Sequence, residues 1–110
     1  METYYCPHDL ARFGEMGKNR PELWEKFMAY YTAVFEDGAL TEREKGLIAL
    51  GVAHAVQCPY CIDAYTEKCL EWGADLDQMT EAVHVSNAIR GGASMAHGVQ
   101  MRKVATKLGM

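Results

Sequence analysis

The chain has 110 residues, of which 49% are hydrophobic and 24% charged, with a formal net charge of −4. This length and composition fit one globular domain and exclude a disordered chain, and the acidic balance excludes the basic footprint of a nucleic-acid-binding protein. Four cysteines are too few for a secreted disulfide scaffold, and the absence of a membrane-spanning or signal-peptide pattern predicts a cytoplasmic protein.

The first part of the chain is predicted to lead into a helical domain. Residues 1–20 have no clear periodicity and are interpreted as an irregular or short-helical lead-in, which leaves residues 21–110 as a single all-helical domain. A helix is predicted from Pro21, because proline suits a first helical turn and apolar residues then recur at helical spacing. Thr41 and Glu44 form a capping box, so a second helix is predicted to begin there.

The rest of the chain is also predicted to be helical, and no segment alternates as a strand would. Asp75, followed three residues later by Gln78, is a second capping signal. Prolines and glycines mark the predicted breaks, including one at Gly91–Gly92. Between these breaks three further helices are predicted: Pro59–Trp72, Asp75–Arg90 and Ser94–Leu108. The sequence therefore predicts an all-α fold of about five helices, and the broadly apolar second helix indicates burial against a partner subunit.

The segment Cys58-Pro59-Tyr60-Cys61 holds a CxxC pair at the predicted start of the third helix. With Pro59 in the first turn, Cys58 falls at the N-cap and Cys61 at the third helical position. Free amides and the positive end of the helix favour a thiolate there and lower the pKa of a thiol toward neutrality. Two thiols one turn apart can also close a disulfide, so the pair has the features of a redox site.

Two other interpretations of the pair remain open. One is a buried pair of small apolar residues. The other is a zinc site, which takes four ligands and is often built from two paired sets. The chain has no second CxxC, so zinc would have to recruit ligands through the fold from the remaining candidates: His54, His84, His97 and Cys69.

Two further side chains are candidates for the chemistry. His54 lies four residues before Cys58, where an imidazole could take a thiol proton or stabilise a thiolate; the alternative is a histidine hydrogen-bonded in the core. Tyr65 lies one turn after Cys61 and could donate a hydrogen bond to a bound oxygen; the alternative is aromatic packing. Cys69 is interpreted as a core residue, and the sequence assigns no role to Cys6.

The chain resembles the carboxymuconolactone decarboxylase superfamily, and within it the alkylhydroperoxidase D-like branch, over about residues 20–108. The resemblance rests mainly on LTEREKGLIALGVAHAVQCPYCI, residues 40–62, and on the later RGGASMAHG, residues 90–98. It implies an all-helical oligomer, commonly a trimer or hexamer, that reduces hydroperoxides. Cys61 would then be the cysteine that attacks peroxide and Cys58 the cysteine that resolves it.

Two positions depart from the pattern of that branch. Gly46 stands where the pattern has a glutamate, and Tyr65 where it has a histidine. Those two residues form the proton relay of the branch, so His54, Glu44 and Tyr65 are candidates to replace it.

Three functions are therefore compared. The first is a thiol peroxidase or disulfide oxidoreductase with a small hydroperoxide as substrate and a dithiol protein as reductant, working without a cofactor or resident metal. The second is a protein that binds a metal or metalloid through its vicinal thiols, which are soft ligands. The third is an oligomeric scaffold that has kept the fold and lost the chemistry.

Overall fold

The structure is a computed structural model that describes residues 4–109. A 3₁₀ helix, Pro7–Gly17, precedes four α-helices, and the described residues contain no strand. The predicted all-α class and the count of about five helices are confirmed, with the 3₁₀ helix as one of the five. The α-helices are α1 (Pro21–Val34), α2 (Glu42–Ala55), α3 (Pro59–Glu71) and α4 (Leu76–Lys107).

The 3₁₀ helix lies within the predicted lead-in and agrees with its short-helical interpretation. Residues 1–3 of that lead-in fall outside the described residues. The division into a lead-in over residues 1–20 and a domain over residues 21–110 stays a prediction.

Both predicted capping boxes are present. At the start of α2, the amide of Glu44 donates to Thr41 Oγ1 at 3.1 Å and the amide of Thr41 donates to Glu44 Oε1 at 2.9 Å. At the start of α4, Gln78 and Asp75 make the same reciprocal pair at 2.8 and 3.0 Å. Each box satisfies two amides that have no partner inside the helix, which is why these helix starts were visible in the sequence.

The predicted break at Gly91–Gly92 was wrong, because α4 continues through it as one helix of 32 residues. A glycine inside a helix keeps its backbone hydrogen bonds and costs only about 1 kcal/mol relative to alanine. Two glycines therefore weaken a helix without ending it. The predicted fourth and fifth helices are one element, about 48 Å long at 1.5 Å per residue.

The core lies where α2 packs against α3 and α4. Its buried members come from these helices and from the turn between α3 and α4, and they are Leu50, Tyr65, Cys69, Ala74 and Met79. Helix α1 reaches this core through a row of aromatic rings at helical spacing, whose successive centroids lie 6.4, 5.6 and 5.4 Å apart: Trp24, Phe27, Tyr31 and Phe35. Phe35 stacks on Tyr65 at 5.2 Å, which joins α1 to α3.

Candidate active site

The CxxC pair sits at the start of α3, as the sequence indicates. Cys58 is the N-cap residue and its Sγ accepts a hydrogen bond from the amide of Cys61 at 3.2 Å. The two Cα atoms are 5.2 Å apart and the two sulfurs form a disulfide. Pro59 occupies the first helical position, where its missing amide costs no hydrogen bond. The pair is therefore able to close, and the amide that faces Cys58 Sγ would stabilise a thiolate after opening.

A tight turn between α2 and α3 presents the pair. Gln57 has a φ of 58°, in the left-handed region that a side chain seldom adopts. The amide of Cys58 donates to the carbonyl of Ala53 at 3.0 Å, and that of Gln57 to the carbonyl of His54 at 3.3 Å. These bonds satisfy the last carbonyls of α2 and reverse the chain within two residues. The turn places Cys58 at the junction of the two helices.

His54 is half-buried near the end of α2, and its imidazole is bonded to its own helix. Its Nδ1 lies 2.8 Å from the carbonyl oxygen of Leu50, and because that oxygen can only accept, Nδ1 carries the proton. Among the hydrogen bonds of residues 4–109, none joins His54 to either sulfur. The observed partner is the one expected of a structural histidine, and a role of His54 in proton transfer stays a prediction.

Tyr65 lies one turn beyond Cys61 and is buried. Its hydroxyl is hydrogen-bonded to the hydroxyl of Tyr31, which comes from α1. Burial, followed by the bond to Tyr31, raises the pKa of the Tyr65 hydroxyl well above its ordinary value. The Tyr65 hydroxyl is therefore neutral at physiological pH, and the position that holds a histidine in the resembled branch holds one member of a tyrosine pair.

Gly46 is buried in the middle of α2 because an indole ring lies directly over it. A Cβ built on Gly46 would lie 2.8 Å from Cε3 and 3.0 Å from Cζ3 of Trp72, and 3.4 Å from Cys69 Sγ. Trp72 is held in turn by Phe35, whose ring stacks on it at 6.1 Å. The position that holds a glutamate in the resembled branch therefore has no room for a side chain here.

An apolar groove of about 630 Å³ opens beside Cys61. Tyr31 and Tyr65 face the same groove, and most of the remaining wall is aliphatic or aromatic, including Val34, Leu40, Ile48, Val52 and Val56. Lys45 also lines it, and its ammonium donates to the carbonyls of Val34 and Glu36 at 2.7 and 2.6 Å. The groove can accept an apolar molecule with one polar end directed at the sulfur and the tyrosines.

The other candidate residues lie apart from this arrangement. Glu44 is used in its capping box. Cys69 is fully buried in the core, as predicted, and burial raises the pKa of its thiol. Cys6 is half-buried at the start of the 3₁₀ helix, and His84 and His97 are exposed on α4. Within residues 4–109, no three His, Cys, Asp or Glu side chains come close enough together to hold a metal ion.

Two residues of this arrangement are not among the site residues predicted from the sequence. They are Tyr31 of α1 and Trp72, which the sequence analysis names only as the end of the third predicted helix. The pairing of Tyr31 with Tyr65 joins positions 34 residues apart, so no local pattern carries it. A glycine inside an otherwise apolar helix is a signal of close packing. Gly46 carries this signal in the sequence, but the signal does not identify Trp72 as the residue that packs there.

A helical bundle with a disulfide-forming CxxC pair at a helix start, beside an apolar groove, defines the class as an all-α dithiol protein. The chain belongs to the carboxymuconolactone decarboxylase family, whose model matches residues 21–102. This family includes alkylhydroperoxidase-like members. The resemblance drawn from residues 40–62 and 90–98 is thereby confirmed at the level of the superfamily.

Related proteins with and without solved structures support this assignment. The chain is 40% identical over 97 residues to the "Uncharacterized protein 4 in cox locus" of Paracoccus denitrificans, covering 88% of this chain and 87% of the relative. A crystal structure from Methanobacterium thermoautotrophicum matches with a TM-score of 0.73 and 36% identity, over 76% of this chain and 94% of that one. The apo form of a carboxymuconolactone decarboxylase family protein from Legionella pneumophila matches with a TM-score of 0.68 and 29% identity, over 81% and 80%.

None of the helices within residues 4–109 combines the length and the apolar character that crossing a bilayer requires.

Proposed function

We propose that this protein is a thiol-dependent peroxidase that reduces small hydroperoxides with the Cys58–Cys61 pair. The observation that carries the proposal is that Cys61 faces an apolar groove while it also reaches a partner thiol at disulfide distance. A peroxidatic cysteine needs both features, because its substrate must approach the sulfur and the oxidised sulfur must then be resolved.

The proposed cycle has three steps. The Cys61 thiolate attacks the outer oxygen of the hydroperoxide, the O–O bond breaks, and the products are a sulfenic acid and an alcohol once the leaving oxygen gains a proton. Cys58 then attacks the sulfenic sulfur, which forms the disulfide and releases water. A dithiol protein reduces the disulfide by thiol–disulfide exchange and is itself oxidised to a disulfide. We also propose a cytoplasmic location, because the last step of this cycle needs a compartment that keeps the reductant in its dithiol form.

The groove supports this order of attack. Cys61 is the cysteine that lines the groove, together with Tyr65. Cys58 Sγ accepts the amide of Cys61, and such a bond favours the thiolate that a resolving cysteine uses. The same bond stabilises Cys58 as the leaving thiolate when a reductant attacks Cys61.

Replacing either cysteine with serine is expected to abolish catalytic turnover. Consumption of cumene hydroperoxide with a dithiol reductant would fall to the uncatalysed rate in both Cys61→Ser and Cys58→Ser. The two variants differ in one turnover: Cys58→Ser still oxidises and its sulfenic acid is trapped by dimedone at Cys61, whereas Cys61→Ser gives no adduct. Mass spectrometry of the trapped protein measures this difference.

Cys6→Ser is the matched control, because it removes a half-buried thiol that lies outside the pair. It should turn over at the wild-type rate. A dimedone adduct on Cys58 in the Cys61→Ser variant would reverse the order of attack, and wild-type turnover no faster than that of the two variants would remove the proposal.

We also propose that the functional form is a homo-oligomer, a trimer or hexamer as the family resemblance implies, in which α4 packs against a second copy. From Gly91 onward the residues of α4 are exposed apart from half-buried Gly98 and Ala105. Three glycines weaken this half of the helix, and a helix half of this length gains most of its stability from packing. Its apolar side chains are Met95, Val99, Met101 and Val104.

Charge and shape favour a second copy as the partner. All 15 acidic residues and seven of the 11 basic residues precede position 82, so residues 1–81 carry −8 and residues 82–110 carry +4. A second apolar groove of about 410 Å³ lies between α2 and α4 and is lined by Ile48, Val52, Val85 and Ile89. Each chain thus carries both surfaces of such a contact. One is the second half of α4, which is positively charged and has exposed apolar side chains, and the other is the apolar groove between α2 and α4 on the otherwise acidic remainder of the chain.

The oligomer is expected to dissociate when a charge enters the exposed half of α4. Val99→Glu should give the mass of one chain by light scattering and lose helical circular dichroism, since the unpacked half would fray. Thr80→Glu is the matched control, because it adds the same charge at an exposed position in the first half of α4. A monomeric wild-type protein at micromolar concentration would overturn this proposal without affecting the peroxidase test.

The catalytically inactive scaffold is the second candidate, and the Trp72 ring over Gly46 favours it, because that ring excludes the glutamate of the resembled relay. The two candidates differ in thiol chemistry. A scaffold would leave Cys58 and Cys61 unreactive toward peroxide in the fully reduced protein, whereas a peroxidase would form the disulfide within one turnover.

A further inference from the structure

The groove beside Cys61 lacks the acid that the proposed reaction needs, unless the tyrosines supply it. When the O–O bond breaks, the leaving oxygen departs as an alkoxide and must gain a proton. No histidine, aspartate or glutamate lines this groove within the described residues. The Trp72 ring excludes a carboxylate at Gly46. The remaining groups with transferable protons are Tyr31, Tyr65 and Lys45.

Lys45 is engaged elsewhere, whereas the tyrosines are placed for the task. Two of the three protons of the Lys45 ammonium are directed to carbonyl oxygens at the end of α1. Tyr65 is one helical turn from Cys61, which brings their Cβ atoms to about 5–6 Å. Tyr31 lies on α1 and Tyr65 on α3, so the hydrogen bond between their hydroxyls fixes the position of the Tyr65 hydroxyl through a contact from another helix.

We propose that the Tyr31–Tyr65 hydroxyl pair is the proton donor of this site, in place of the glutamate and histidine of the resembled relay. Tyr65 is the catalytic acid and Tyr31 is the positioning residue that orients its hydroxyl and resupplies its proton. The inference rests on the proposed peroxidase function and deepens it.

The proton transfers balance in the following sequence. The Cys61 thiolate bonds to the outer oxygen, the electron pair of the O–O bond leaves on the inner oxygen, and the Tyr65 hydroxyl protonates that oxygen to give an alcohol. The Tyr65 phenolate takes the proton of Tyr31, and solvent restores the proton of Tyr31. The first transfer is downhill, because an alkoxide is a far stronger base than a phenolate. A buried, neutral hydroxyl also leaves the adjacent Cys61 thiolate free of a competing negative charge.

The choice of oxidant tests this role directly. Cumene hydroperoxide releases an alkoxide, which needs a proton, whereas peracetic acid releases acetate, which does not. We expect Tyr65→Phe to lower the rate of oxidation of the reduced protein by cumene hydroperoxide about 100-fold, a typical effect of losing a general acid. Tyr31→Phe should lower it about tenfold, and both variants should react with peracetic acid within twofold of wild type.

Tyr30→Phe is the matched control, since it removes an exposed hydroxyl next to Tyr31 in the chain and should leave both rates unchanged. Alkylation by iodoacetamide reports on the thiolate alone, because iodide needs no proton, and it should be the same in all four proteins.

Each remaining outcome is decisive. If Tyr65→Phe slows peracetic acid and cumene hydroperoxide equally, the pair has a structural role and the inference is overturned. If it slows neither, another group is the acid, with the same consequence. If the wild-type thiols react with iodoacetamide but with neither oxidant, the peroxidase function itself fails and the inference falls with it.

Discussion

Replacing Gly46 with glutamate, the residue of the resembled relay, is expected to destabilise the fold severely. The Cβ alone would lie 2.8 Å from the ring of Trp72. Forcing even a methyl group into such a packed site costs about 1–3 kcal/mol, which sets the expected loss for Gly46→Ala. The glutamate also adds a carboxylate that would be buried without a partner. An unpaired buried charge costs roughly several kcal/mol in addition. Urea unfolding followed by circular dichroism measures both losses.

The matched control is Gly14→Ala in the 3₁₀ helix, where nothing lies within 4 Å of an added Cβ. It should change the free energy of unfolding by less than about 1 kcal/mol. Combining Gly46→Glu with Trp72→Ala removes the ring that occupies the space and should recover part of the lost stability. A Gly46→Glu protein as stable as wild type would show that Trp72 moves aside freely, and the steric account of this site would then be wrong.

Replacing Leu50 with alanine is the second change with a large expected effect. Leu50 is 2% exposed and belongs to the core that holds Tyr65 in place. Removing a buried leucine side chain costs about 2–5 kcal/mol, because the cavity left behind closes only in part. A domain of this size has a total stability of about 5–15 kcal/mol. The variant should therefore melt at a clearly lower temperature, measured by differential scanning calorimetry.

The conservative change Leu50→Met keeps the volume and should cost less than about 1.5 kcal/mol. It controls for the loss of the leucine shape alone. Equal losses in the alanine and methionine variants would contradict the cavity argument, and so would a loss of less than 1 kcal/mol in Leu50→Ala, on the order of what a surface substitution costs.

The helices and the place of the thiol pair were predictable because their signals are local. A capping box involves residues three apart in the chain, and Thr41 with Glu44 satisfied each other as the pattern predicted. Pro59 has no amide to lose at a first helical position, so Cys58 at the N-cap followed directly. The family resemblance covered the same segments and implied the all-α fold. The one local signal that misled was Gly91–Gly92, since glycine weakens a helix by a small free energy that its neighbours can offset.

The chemical surroundings of the thiols depend on contacts between residues far apart in the chain. The bond between Tyr31 and Tyr65, and the packing of Trp72 on Gly46, each join residues 26 or more positions apart. His54 was within reach of the sulfurs by helical spacing, yet its Nδ1 bonds to the carbonyl of Leu50. The sequence alone determined that Cys58 and Cys61 lie one turn apart at the start of a helix, because backbone hydrogen bonding and side-chain spacing act between neighbours. The tertiary structure decided which groups surround them, because only packing of α1, α2 and α3 brings those side chains together.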